Sequence, residues 1–198
     1  YIDNKKGVSD VIFGGISYEK TKPTKNYVLR WKYGLNSEEV SVKERQKKPY
    51  KLIASANMLI KKEVFQSINS TINHVAYGMD NYFGAKLKER KHKVEHIDNP
   101  VYHLGLENSI DYLNKKEQAA DTLLYLLNQE LISEHDNKLL RLFITFKKFR
   151  LNYFFSLFFK ISKIPIRKNL LSQNPSINLL QLYRICYMCY RDLNPILK

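Results

Sequence analysis

Between residues 138 and 168 the chain reads KLLRLFITFKKFRLNYFFSLFFKISKIPIRK, in which bulky aromatic residues alternate with Lys and Arg and no acidic residue occurs. The longest uncharged apolar stretch, LNYFFSLFF at 151–159, falls well short of the ~20 residues that a spanning helix needs, so no transmembrane helix is expected. Two arrangements remain. In one, a helix lies on a membrane surface, with its cations toward anionic headgroups and Phe143, Phe146, Phe149, Phe154 and Phe158 in the interface. In the other, the helix packs on the rest of the protein and its basic side is solvated. The aromatic positions run too far around a helix to form one clean stripe, which leaves both arrangements open.

The whole chain shares this bias, with 33 basic and 19 acidic residues among 198 and a formal charge of +14. Such a balance implies an acidic partner: nucleic acid, an anionic membrane surface or a phosphate-bearing substrate. No helix-turn-helix, RNP or zinc pattern accompanies the charge, so nucleic acid is not the expected partner. Hydrophobic residues make up 44% and charged residues 26%, ordinary values that argue for a folded chain of one sizeable core. The opening YIDNKKGVSD lacks the charged-then-apolar-then-cleavable order of a signal peptide and begins with Tyr1, which fits a piece of a longer protein. Cys186 and Cys189 form a lone CYMC within LYRICYMCYR. A metal site needs a second pair or added histidines, and a redox pair normally accompanies a βαβ pattern, so both are read as reduced packing residues.

Ahead of the basic run the text is of α/β kind. DVIFGGISY (10–18) predicts a buried strand whose Gly14 and Gly15 let the backbone approach something closely. Residues 19–49 are polar and basic, with VLRWKYG in the middle, and predict a long connection with about one helical turn. KLIASANMLIKKEVF (51–65) predicts a strand alternating at Leu52, Ala54, Ala56 and Met58, followed by a short helix. MDNYFGAKLKERK (79–91) has helical spacing, with Asp80 and Asn81 at its N-terminal end. VEHI (94–97) and VYHLG (101–105) predict two short extended pieces. Ser109 is the expected N-cap of a long helix to about Ile132, with Leu113, Ala120, Leu124, Leu127 and Leu131 on one face. Pro165 and Pro175 are expected to end helices, and 177–191 to form a last one.

Two residues could carry chemistry. An Asp at a helix N-terminus is held as an anion by free backbone N–H groups and the helix dipole, as a general base requires, although capping alone is the usual role of Asp there. Asp80 is such a residue, and Gly78 before it would allow an acceptor to approach closely. His103 ends a strand, where a neutral imidazole could ligate a divalent cation or simply be a satisfied structural histidine.

The ordered series VIFGGISY, VLRWKYG, NMLIKKEVF, YGMDNYFGAKLKERKHKVEHIDNPVYHLGLEN and YLNKKEQAADTLL resembles the acceptor-side half of family 2 glycosyltransferases, most of all the bacterial enzymes that build cell-surface polysaccharides. It covers roughly residues 8–130. By that resemblance Gly78-Met79-Asp80 matches the segment ending in the catalytic Asp, making Asp80 the base. His103 matches a histidine that in some relatives joins a metal–diphosphate site, and Asn57 would line the acceptor cleft. Trp31 could stack on a sugar face or serve as a core tryptophan. Many relatives carry Glu before the Asp, where this chain has Met79. The D-x-D motif, the nucleotide-binding strands and the Q-x-x-R-W motif are all absent from the sequence.

The expected fold is therefore α/β: at 1–134 the C-terminal, acceptor-side half of a GT-A (Rossmann-like) glycosyltransferase domain, followed at 135–198 by a basic, aromatic-rich helical region. The resemblance implies inverting transfer from a nucleotide-sugar donor to a glycan or lipid-linked acceptor, with Mg or Mn in the full-length enzyme. It implies a cytoplasmic location, in contact with the inner face of the cell membrane if 138–168 lies on it. This stretch alone is expected to bind nucleotide sugar poorly. The alternative is a non-catalytic basic module for anionic membranes or nucleic acid.

Overall fold

The computed structural model describes residues 9–133 and 135–195, so the opening residues and the expected boundary at 134 lie outside it. A three-stranded sheet organises the front. Strand β1 (Val11–Phe13) is fully buried and runs between β3 (Met58–Ile60), antiparallel to it, and β4 (Val94–His96), parallel to it. Val11 sits opposite both Ile60 and Val94. Strand β2 (Ile16–Ser17) leaves that sheet and pairs in parallel with β5 (Val101–Tyr102).

The single strand expected over 10–18 is thus two, and the two glycines cause the break. Gly15 has φ +94°, and a Cβ there would meet Arg45 Nη2 at 2.8 Å, while a Cβ on Gly14 would meet the Asn99 carbonyl at 2.4 Å. The strand expected over 51–60 is also shorter. Residues 55–57 form a 3₁₀ turn that brings Asn57 back onto the glycines, and only 58–60 join the sheet.

The long connection is more ordered than its polar composition suggests. It contains α1 (Val28–Tyr33), a π-helical turn at Gly34–Glu38 and α2 (Val42–Gln46). Helix α3 (Lys62–Asn69) follows β3, and α4 (Asp80–Glu89) precedes β4. Helix α5 (Ser109–Asn128) is capped by Asn108, whose side chain accepts from the Ile110 and Asp111 N–H groups. Ser109, the expected cap, is buried instead and accepts from Leu29 N–H, and the helix stops four residues before Ile132.

The basic run folds as two helices. Helix α6 (Lys138–Lys148) ends at Phe149, the left-handed Arg150 (φ 59°) turns the chain, and α7 (Leu151–Leu170) begins. Phe146 and Phe155 stack at 4.4 Å across the turn. Pro165 lies inside α7 rather than ending it; it is on the exposed side, where water can reach the carbonyl left without a donor. Helix α8 (Ile177–Leu193) folds back along α7, with Phe159 packed against Tyr183, Tyr187 and Tyr190. It also packs on α5, where Glu117 takes Tyr183 together with Arg167 of α7, and Asp121 takes Tyr187 and Arg191. One hydrophobic core therefore runs from β1 through α5 into α8. Cys186 and Cys189 are free within it, and burial pushes both thiols up to about 12. The protein mixes helix and strand, and helix dominates.

Candidate functional site

Helix α5 builds the site. Ala119 packs under Gly78, whose φ of +97° and 3.0 Å clearance to the Ala119 Cα leave no room for a side chain. Thr122 donates to the Tyr77 carbonyl at 2.9 Å. The 77–78 loop is thereby fixed on α5, and Asp80 follows as the first residue of α4. The close approach that Gly78 permits is to α5, which corrects its expected role at the acceptor. Met79 occupies the cap position without a side-chain hydrogen bond, so Asp80 is not the N-cap.

Asp80 is exposed to solvent, yet much protein surrounds it. This crowding raises its carboxyl above the ordinary value, opposed by Lys116 and the Asn81 N–H, with Glu38 adding to the rise. The Asn81 amide donates to Asp80 at 3.3 Å and to the Gly78 carbonyl at 2.9 Å, while Asn137 donates to Asn81 at 2.6 Å. The carboxylate is thus steadied from one side and open on the other.

A network of buried charge lies between Asp80 and the end of β5. Arg30, 6% exposed, pairs with Glu38 at 2.9 Å and lies over the Tyr18 and Tyr112 rings at 5.3 and 4.9 Å. Tyr18 also donates to Glu38. Burial pushes Glu38 up, but Arg30, Tyr18 and Lys116 outweigh it and hold the carboxyl below its ordinary value. Lys116 is 8% exposed and in no ion pair among the described residues; its ammonium lies over Tyr33 and Tyr112 at 4.3 and 4.7 Å. Burial, with Arg184 and Arg30 near by, lowers it to about 8. Arg30 Nη1 and the Tyr112 hydroxyl are buried without a hydrogen-bond partner among the described residues.

His103 continues the β2–β5 ladder, its N–H donating to the Ser17 carbonyl at 2.9 Å, and its ring stacks on Tyr18. Burial and then Arg30 lower its pKa, so the imidazole is neutral. Its Nε2 lies 3.5 Å from Arg30 Nη2, where it accepts. Trp31 joins His103 and Tyr18 around one pocket of about 210 Å³. It is half-buried, with Nε1 donating to the Glu19 carbonyl at 2.7 Å, which leaves the ring beside the opening.

The described residues do not by themselves assemble a site for the divalent cation that the resemblance implies for the full-length enzyme. Among the described residues no three His, Cys, Asp or Glu side chains gather around a possible ion. The His103 Nε2 lone pair faces a guanidinium, and the nearby Glu38 and Glu107 are paired with Arg30 and Lys115. Within this chain His103 Nε2 is directed at Arg30.

Asn57 is 5% exposed, and its amide donates to the Gly15 and Asn99 carbonyls at 2.8 and 2.7 Å. It braces the β1–β2 break and does not line a cleft. The structure thus brings His103 and Trp31 together around one pocket, and Glu38 acts on both Asp80 and His103.

Sequence reasoning missed Arg30, Glu38 and Lys116. Lys116 had a legible signal, since it stands three and four residues from Leu113 and Ala120 on an apolar helix face. Arg30 and Glu38 had none, because a π-helical turn sets their pairing. Compared with known proteins, the chain matches no protein family, no curated protein and no solved structure.

Proposed function

We propose that this chain is the acceptor-side part of an inverting glycosyltransferase in which Asp80 is the general base. The observation that carries the reading is a solvent-open carboxylate at the start of α4, raised above its ordinary value and steadied by Asn81. A raised carboxylate is the stronger base, provided that it remains ionised.

In this reading the acceptor hydroxyl gives its proton to Asp80 as its oxygen bonds to the anomeric carbon of the donor. The bond from that carbon to the nucleotide diphosphate breaks, and the electron pair leaves with the diphosphate. Charge growing there is favoured by the surplus of buried cations at Arg30 and Lys116, in surroundings where water screens them little. The Trp31 ring beside the His103 pocket offers a face for a sugar. The nucleotide-binding strands and D-x-D motif are absent from this sequence, so the donor would be held by a part of the enzyme outside it.

The test is the stereochemistry of the product. The chain joined to its nucleotide-binding half is incubated with a panel of nucleotide sugars and polysaccharide acceptors, and the new linkage is read by NMR. One base and a single displacement give an inverted anomeric centre. A retained centre would require a second nucleophilic step that Asp80 alone does not provide, and would remove this reading.

A further inference from the structure

Helix α7 is apolar on both faces, burying Phe159, Ile166 and Leu170 on one and exposing large apolar residues on the other. Its inner face, against α8, includes Asn152, Ser156 (4% exposed) and Ser162. Its outer face carries Phe154, Leu157, Ile161 and Ile164, the last two 73% and 79% exposed. Their spacing of three, four and three residues places them on one side of the helix. Leu151 and Phe149 extend the apolar surface to the α6–α7 corner. Single exposed apolar residues are normal on a soluble protein, but a contiguous stripe of this kind marks an interaction surface.

We propose that this outer face of α7, with the α6–α7 corner, docks on an anionic lipid bilayer. Charge identifies the occupant. From Lys138 to Arg191 the sequence has eleven basic residues and no acidic one. Arg150 and Lys168 stand at the two ends of the stripe on the same side, and Lys160 flanks it; none of these three is in an ion pair among the described residues. Long basic side chains beside an apolar stripe can rest their stems on it and reach headgroup phosphates. A second copy of this chain would bring cations against cations. A nucleic acid would take the charges and leave the apolar residues in water. Among the described residues no helix is long and apolar enough to cross a membrane, so α7 lies along the surface.

The proposal does not depend on glycosyl transfer, and its test does not measure it. The full chain is sedimented with vesicles of equimolar phosphatidylglycerol and phosphatidylcholine, and with vesicles of phosphatidylcholine alone. Binding is expected to the anionic vesicles, to weaken with salt, and to be much weaker on the neutral ones. Leu157→Ser with Ile161→Ser should lower the partition coefficient by about tenfold or more. Lys160→Glu with Lys168→Glu should lower it by a similar factor. Both pairs are exposed, so circular dichroism should be unchanged. The proposal is overturned if the wild type ignores anionic vesicles, or if the apolar variant binds them as well as the wild type. It is equally overturned if sedimentation shows a lipid-independent dimer that the apolar variant abolishes.

Discussion

Lys116 and Asp80 show how one helix face sets two unusual ionisations. Lys116 is buried beside Tyr33 and Tyr112, with that burial, Arg184 and Arg30 lowering its pKa and the acids Glu38 and Asp80 raising it. Its folded pKa, about 8, lies below the unfolded value, so between the two the unfolded chain holds the proton more tightly. Stability should therefore rise with pH across this window, by about 1 kcal/mol between about pH 7 and about pH 9. Denaturant titrations should show that rise in the wild type and a flatter profile in Lys116→Met. Above that window the buried tyrosines oppose the trend, because unfolding lets them ionise. Sequence placed Asp80 at the start of a helix correctly, since Asp-Asn before an amphipathic run is a local signal. Its surroundings depend on contacts with α5, which no local pattern encodes.

At the scale of elements, the three-strand sheet is very short and depends on clips between its members. Asp10 is the clearest, taking Lys61 Nζ at 2.8 Å and Lys93 N–H at 2.9 Å and so joining β1 to the edges of β3 and β4. These hydrogen bonds, that from Lys61 foremost, hold its carboxyl at about 2. A depressed carboxylate stabilises the fold above its unfolded pKa, and that contribution is lost as pH falls through the folded one. Asp10→Asn should lose about 1–2 kcal/mol at neutral pH, after allowance for partial exposure, and the difference should shrink toward about pH 2. Chemical denaturation at several pH values measures it. Helix positions were legible from 3.6-residue periodicity, as over 80–89 and 177–193. The breaks were not. Gly14 and Gly15 end β1 because Arg45 and Asn99 lie against them, and Arg150 divides the basic run by adopting a left-handed conformation that its residue type does not announce. Pro165 is tolerated within α7 because it faces outward, a fact of packing rather than of sequence.

Across the whole molecule, the compositional shift near residue 134 does not divide the core. Leu123 and Leu126 of α5 belong to the same cluster as Tyr183 and Met188 of α8, so the basic region buttresses the helix that positions Asp80 and Lys116. The same region turns an apolar, cationic face outward on α7. In the proposed reading, the base Asp80 and the membrane-docking face of α7 would both be braced by the α5–α8 pair. The most direct test of the account is turnover of the enzyme, complete with its nucleotide-binding half, bearing Asp80→Asn, with folding checked by circular dichroism and thermal melting. Loss of a positioned base predicts a fall in kcat of about a hundredfold to ten-thousandfold, with the fold intact. Turnover near that of the wild type in a folded variant would contradict it.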